Sequence, residues 1–247
     1  MTLTLRQLPV AEWPEHDDGP QPPELAGLGL ASPIGVPGRR ALAVRAGELV
    51  LVQADRIVTA LGIRPGREAH FRFFAGTDDR MLLSIDTAVY ELDLAAGRAT
   101  ELVRCGLVIA SFAETAEGLA VVPIAPWPSI DLYAQGALMA SVPAAEITSI
   151  ADVAGGRALI VIAEDGDDVL AFRTTVVAVR DNRVIPLAGF RTRIRTVQLV
   201  GDRVIASLPE QGYVELLGLE AALANLGDPV ETLVDAELPA GIEDPEE

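Results

Sequence analysis

RMLLSIDTAVYELDLAAGRATELV, residues 80–103, has the pattern of three consecutive antiparallel strands. The segments Arg80–Ile85, Ala88–Leu94 and Arg98–Val103 are rich in β-branched and aliphatic residues, as is typical of strands. Asp86-Thr87 separates the first two segments with a turn signal, and an Ala-Ala-Gly turn separates the last two. The stretch therefore predicts a β-meander.

The same order of strands and turns recurs along the chain. The second strands of five copies begin near Arg40, Arg80, Gly118, Arg157 and Arg203, in steps of 40, 38, 39 and 46 residues. A period of about 40 residues with four strands per copy is the signature of a β-propeller blade. We therefore predict an all-β fold, a β-propeller with five four-stranded blades.

Each blade also needs a first strand before these starting points. We expect the five first strands at Leu28–Ala31 (ended by Pro33), Ala69–Phe74, Gly106–Phe112, Ile147–Val153 and Ile194–Val200. The longer fourth step is explained by an acidic insertion, Glu164–Thr174, between the second and third strands of blade four.

The domain boundaries are predicted from patterning at both ends. Residues 1–9 contain an alternating strand, Thr2–Leu8, which has no neighbouring partner and is expected to close the ring on the last blade. Val230–Val234 is the alternative outer strand for that blade, and it follows a short predicted helix within EAALANLGDP. Residues 10–37 are a Pro-rich acidic linker or arm, 38–235 the propeller, and 236–247 an acidic tail expected to lack regular structure.

The composition excludes several classes of function. A net charge of −17 disfavours nucleic acid and anionic membranes as partners, because both are polyanionic. No apolar run reaches the roughly 18 residues that a membrane span needs, and the N-terminus lacks a secretory signal, so a cytoplasmic location is expected. One cysteine, Cys105, and two histidines predict neither a disulfide nor a metal site. Cys105 is interpreted as a small core residue.

Lysine is absent from the chain, and all 19 basic residues are arginines. Lysine is normally among the commoner residues. A GC-rich bacterial genome would favour arginine over lysine, whereas selection against a lysine-targeting modification is the alternative explanation.

The run VYELDLAAGRATEL, at Val89–Leu102, resembles the third strand, turn and fourth strand of WD40-like, YVTN-like and quinoprotein-like propellers. The period extends this resemblance over residues 40–219. The chain has no Trp-Asp dipeptide and no Gly-His pair, so it does not match a true WD40 repeat. The resemblance implies a propeller fold, and it implies no catalytic or cofactor-binding residues.

In such propellers, the resemblance further implies that partners bind on the face formed by the inter-blade loops and the loops between second and third strands. The candidate partner-binding residues on that face are Arg64, Arg67, Trp127, Arg191, Arg193 and Arg195. The last three alternate along one strand and so share a side, where they either capture an acidic partner or pair with internal carboxylates. Trp127, between two prolines, is either an interaction hot spot or a cap on the core. Trp13 is either a recognition motif or a surface anchor.

Enzyme motifs such as GxSxG, a P-loop, GxGxxG after a strand or HExxH are absent from the sequence. We therefore expect a non-enzymatic protein-interaction or scaffold module, monomeric on its own and without a cofactor, whose partner is another protein with an acidic segment as one candidate. Two alternatives stay open: a hydrolase with convergent carboxylates, for instance Asp86 with Glu210, and a propeller that binds a small ligand or sugar.

Overall fold

The computed structural model describes residues 3–14, 31–36, 40–53, 56–66, 72–74, 79–144, 146–164, 172–190, 196–200, 203–208 and 212–233. The chain divides into two compact units, Glu15–Ile109 and a second unit made of Met1–Pro14 with Ala110–Glu247. We call them the two-blade unit and the three-blade unit.

The two-blade unit contains two four-stranded antiparallel sheets in simple chain order. Its strands are β2 (Ala31–Val36), β3 (Arg40–Arg45), β4 (Glu48–Gln53) and β5 (Arg56–Ala60) in blade one, and β6 (Arg72–Phe74), β7 (Arg80–Ile85), β8 (Ala88–Asp93) and β9 (Arg98–Arg104) in blade two. Leucines of both blades, including Leu42, Leu51, Leu83 and Leu92, form one buried cluster. Strands covered on both faces explain why these segments are apolar without alternation.

The meander predicted for residues 80–103 is confirmed. Ile85 pairs with Ala88 across the two-residue turn, and Asp93 pairs with Arg98 across the next turn. Asp86 occupies the left-handed region with φ of 51°, a conformation that Asp tolerates better than most residues. The turn chemistry therefore matches the turn that the sequence predicts.

The three-blade unit contains the other three sheets. Its strands are β10 (Ile109–Thr115), β11 (Gly118–Pro123), β12 (Ser129–Ala134) and β13 (Ala137–Pro143) in blade three, β14 (Ile147–Val153), β15 (Ala158–Glu164), β16 (Phe172–Arg180) and β17 (Arg183–Phe190) in blade four, and β18 (Thr196–Val200), β19 (Arg203–Leu208), β20 (Gly212–Leu217) and the N-terminal β1 (Thr4–Gln7) in blade five. The predicted all-β fold with five four-stranded blades is thus confirmed.

The N-terminal strand supplies the outer strand of blade five. β1 pairs antiparallel with β20, from Thr4 opposite Leu217 to Gln7 opposite Val214. The flanking Leu3 and Leu8 are buried, and the Leu8 amide donates to the Tyr213 carbonyl at 2.9 Å. The predicted pairing of the N-terminal strand with the last blade is confirmed.

The alternative outer strand, Val230–Val234, lies elsewhere as far as it is described. The chain leaves blade five through the predicted short helix, α1 (Leu219–Ala224), which buries Leu219 and Ala222. Val230 then bridges Val184 of β17, and the Leu233 amide donates to the carbonyl of Pro143 at 2.9 Å. The segment therefore runs along blades four and three. In the part of the chain that the structure describes, α1 and the 3₁₀ helix Val10–Glu12 are the helical elements, and neither could span a membrane.

Several strand boundaries differ from the sequence-based expectation. The first strand of blade three spans Ile109–Thr115, whereas Gly106–Phe112 is predicted. The first strand of blade one spans Ala31–Val36 and passes through Pro33, with a register shift between Ala31 and Ile34. Such an irregularity accommodates a proline, which cannot donate to the ladder. In blade four, Glu164 pairs with Phe172, so both ends of the predicted insertion extend the hairpin.

Candidate protein-interaction surface

The loop between β11 and β12 carries the most exposed large apolar side chain among the described residues. Trp127 is 85% exposed, and Ile124 of the same loop is 55% exposed. A large apolar side chain held in water is a feature of interaction sites more than of cores. The exposure of Trp127 fits a hot spot, and it does not fit a cap on the core.

This loop, residues 124–128, is stiffened by its own sequence. Pro126 and Pro128 each fix their φ angle, and each restricts the residue before it to extended conformations. The Pro128 carbonyl accepts a hydrogen bond from the Ala144 amide at 3.1 Å, which ties the end of the loop to the end of β13. Trp127 therefore projects from a backbone with few alternative conformations.

The blade that carries this loop has charged side chains of one sign only. Between Arg104 and Arg157 the sequence contains five carboxylates and no Arg, Lys or His. These 52 residues include the whole of blade three. The Trp127 loop is therefore set in an acidic blade.

Arg64 lies in the two-blade unit, on the connection from β5 to β6. Arg64 is exposed. The connection that carries it is held by hydrogen bonds on both sides of Arg64. The Ile63 carbonyl accepts from the Leu49 amide at 2.8 Å, and the Gly66 amide donates to the Asp86 carboxylate at 2.9 Å. An inter-blade loop thus meets a loop between second and third strands. Asp86 serves here as an acceptor that holds the connection.

The other arginines of the predicted face, Arg67, Arg191, Arg193 and Arg195, lie outside the described residues, as does Glu210. The arginine stripe and the Asp86–Glu210 pair therefore stay predictions. Arg64 belongs to the two-blade unit and Trp127 to the three-blade unit.

Trp13 is an anchor of the N-terminal arm. Its indole Nε1 donates to the Leu8 carbonyl at 3.1 Å, and its ring meets Tyr213 edge-on with centroids 5.5 Å apart. Glu12 pairs with Arg203 of β19 at 3.1 Å. These contacts fasten the arm to blade five and account for Trp13 without a recognition role.

Asp152 and Glu114 form a pair of acidic residues that our sequence interpretation missed. Burial raises the pKa of Asp152 to about 6, and the negative charge of Glu114 adds to the shift. Their strands, β14 and β10, are tied by Ser111, whose Oγ accepts from the Ile150 amide at 3.1 Å. The two residues are 38 positions apart, close to one blade period, so equivalent positions in successive blades were the signal that could have found them.

Other features of the described residues offer weaker candidates. A groove of about 630 Å³ lies between β5 and the β8–β9 hairpin, lined by Thr59, Glu91, Asp93, Arg98 and Thr100 among others, with no aromatic ring. In the described part of the chain, no three His, Cys, Asp or Glu side chains are grouped to hold a metal ion. Cys105 is buried, in agreement with its interpretation as a core residue.

Comparisons with known proteins give no family for this chain. No family model and no curated protein matches it. Among solved structures, it is similar to hydrazine synthase from Kuenenia stuttgartiensis (13% identity, 82% of this chain and 65% of that chain, TM-score 0.49). It is also similar to BBS1N, in a complex with ARL6DN (16% identity, 76% and 64%, TM-score 0.45), and to the tricorn protease (10% identity, 73% and 19%, TM-score 0.48). The chain thus spans less than two thirds of each of these chains, and likenesses of this strength carry no inference about activity or partners.

Proposed function

We propose that the protein is a non-enzymatic protein-interaction module that binds its partner through the loop of residues 124–128 in blade three. The observation that carries this proposal is the 85% exposure of Trp127 on a loop stiffened by two prolines. Tryptophan is enriched among the few residues that contribute most of the affinity of protein interfaces.

The stiffness of the loop favours tight binding. Ordering a flexible loop on association costs free energy, and a loop that already has its bound conformation avoids that cost. Burial of Trp127 and Ile124 against a partner removes exposed apolar surface from water, and less of this gain is lost to ordering a stiff loop than to ordering a flexible one.

The charge of blade three bears on the chemistry of the partner. Since residues 105–156 contain carboxylates and no basic side chain, a partner with arginine or lysine around its apolar pocket fits this surface best. The alternative, capture of an acidic segment by Arg191, Arg193 and Arg195, concerns a different part of the chain and stays a prediction.

A comparison of bait proteins tests the proposal. Three bait proteins are used to capture partners from the native host: the wild type, Trp127→Ala and Val10→Ala. Mass spectrometry then identifies the captured partners. Val10 is the control because it is also apolar and 73% exposed, but lies on the N-terminal arm. We expect Trp127→Ala to melt with the wild type and to bind the identified partner at least tenfold more weakly, about 1.4 kcal/mol. Equal affinity for Trp127→Ala and the wild type would rule out this loop.

A hydrolase with paired carboxylates is the second candidate, favoured by Asp152 and Glu114. A carboxyl group with a pKa of about 6 is still partly protonated as the pH approaches neutrality, and a general acid must carry a proton. Turnover of chromogenic glycosides that is lost in both Asp152→Asn and Glu114→Gln would support it, and a wild type that turns over none of them would reject glycoside hydrolysis.

A further inference from the structure

The outer edge of blade three is unusual in its chemistry. β13 is the last strand of its sheet, and among the described residues only β12 pairs with it along its length. Its sequence, ALMASVP, contains no charged residue. Leu138 and Met139 on this strand are 54% and 52% exposed.

The outer strands of the other four blades all carry charge. The charged residues are Arg56 in β5, Arg98, Glu101 and Arg104 in β9, Arg183 in β17 and Arg6 in β1. Charged side chains on an edge strand prevent other chains from pairing with it. β13 lacks this protection, and an unprotected edge is a template for strand addition.

The hydrogen bonds at one end of β13 show which backbone groups point outward. The Ala144 amide bonds to the Pro128 carbonyl across the ladder, and hydrogen-bonded pairs alternate with non-hydrogen-bonded pairs in antiparallel sheets. Pro143 and Ser141 therefore direct their backbone groups away from β12. A register shift leaves Met139 without an opposite residue between the Ala140 and Leu138 pairs.

The edge already accepts a backbone donor. The outward carbonyl of Pro143 receives the Leu233 amide at 2.9 Å and the Thr232 hydroxyl at 3.1 Å. Beyond this contact, the amide and carbonyl of Ser141 are the next outward groups along the strand. The outward groups of Ser141 therefore lie next to a place where another segment of the chain is already hydrogen-bonded to this edge.

We propose that the outer edge of β13 binds an extended segment of a partner protein as an added strand, and that this segment alternates apolar with basic residues. The apolar side chains would cover Leu138 and Met139. Basic side chains of the bound segment are favoured electrostatically, because residues 105–156 contain five carboxylates and no basic side chain. This surface is separate from the Trp127 loop.

A synthetic peptide that alternates valine and arginine tests the inference. The matched control is a second peptide in which glutamate replaces every arginine. Labelled peptides are titrated with the full chain by fluorescence anisotropy. We expect the arginine peptide to bind at least tenfold more tightly than the glutamate peptide. Hydrogen exchange should show new protection of the Ser141 amide when the arginine peptide is present.

Two variants of one residue separate strand addition from other binding modes. Ser141→Pro removes the outward amide, whereas Ser141→Ala removes only the hydroxyl that donates to Asp131 at 2.6 Å. We expect Ser141→Pro, with its fold confirmed by circular dichroism, to weaken peptide binding at least tenfold, and Ser141→Ala to change it less than twofold. If Ser141→Pro does not fold, the amide protection in the wild type decides.

Several outcomes would overturn the inference. They are absence of peptide binding, equal binding of both peptides, and binding that survives in folded Ser141→Pro. Self-association abolished by Ser141→Pro would assign the edge to a second copy, and binding gained only after truncation at Leu233 would assign it to the chain's own C-terminal residues. Trp127→Ala should leave peptide binding unchanged, so failure here and failure of the proposed function are distinguishable.

Discussion

The indole of Trp13 lies edge-on to the ring of Tyr213, at a centroid distance of 5.5 Å and an interplanar angle of 60°. The contact joins the N-terminal arm to β20, although Tyr213 follows Trp13 by 200 residues in the sequence. Gly212 makes room for it: a Cβ at this position would lie 2.4 Å from Cζ2 of Trp13, and the glycine has φ of 84°.

Trp13→Ala should therefore lower the stability of the folded protein. Loss of the aromatic contact, the indole hydrogen bond and the buried part of the ring should cost about 2 kcal/mol. Thermal melting followed by circular dichroism measures the effect. Val10→Ala, at a 73% exposed position of the same arm, is the control and should melt like the wild type. Gly212→Ala should be destabilising as well, and its retention of wild-type stability would contradict the close approach.

Deletion of residues 1–9 should destabilise the protein more than the loss of Trp13 alone. It removes the β1–β20 ladder and the buried Leu3 and Leu8. Exposing the edge of β20 and the apolar surface beneath the two leucines should cost roughly 3 kcal/mol or more. For a chain of this size, such a loss lowers the melting temperature by roughly 6–12 °C. A melting curve identical to that of the wild type would refute the role of β1.

Glu215→Gln should reveal a pH-dependent contribution to stability. The guanidinium of Arg203, then that of Arg6, lowers the pKa of the buried Glu215 carboxyl. A lowered pKa in the folded state gives stability that is present above the unfolded pKa, about 4.3, and that is lost as the pH falls through the folded pKa. The substitution should cost on the order of 2 kcal/mol at pH 7 and progressively less below pH 4.

Glu220→Gln is the control for this experiment. Glu220 also pairs with an arginine, Arg157, but its side chain is 72% exposed, and exposed ion pairs contribute little. Urea unfolding of both variants at pH 7 and pH 3.5 gives the comparison. An equal cost for the two substitutions at pH 7 would contradict the assignment.

Asp152→Asn should have the opposite effect on the free energy of unfolding. Burial, followed by the charge of Glu114, raises the pKa of Asp152 to about 6. A carboxyl group with a raised folded-state pKa binds a proton in the folded state that the unfolded state has already lost, so ionisation lowers stability between about pH 4 and pH 6. Asp152→Asn should stabilise the protein at pH 7.5, on the order of 1 kcal/mol, and should be neutral near pH 3.5. Chemical unfolding at the two pH values measures this, with the exposed Glu146→Gln as control. Destabilisation by Asp152→Asn at pH 7.5 would show that the carboxylate form is needed there.

Local sequence patterns determined the repeating part of this protein. In blade two, the strands predicted from residues 80–103 match those of the structure to within one residue, and α1 follows from its own short apolar pattern and stop signals. Hairpins and short helices form between neighbours in the chain, so strand propensity, alternation and turn residues carry enough information to place them. The period of about 40 residues then specifies the blades.

Tertiary structure decided the contacts between distant residues, on which the candidate sites depend. The sequence alone favoured the N-terminal strand for completing blade five but left Val230–Val234 open as the alternative. It could not separate the anchored Trp13 from the exposed Trp127. The Asp152–Glu114 pair joins two strands that are remote in sequence. The sequence shows that β13 is uncharged, but only the folded chain shows that β13 is an outer strand. A strand pattern records which residues are apolar, but it contains no information on which other strand, if any, buries them. Burial and distance in the folded chain decide that.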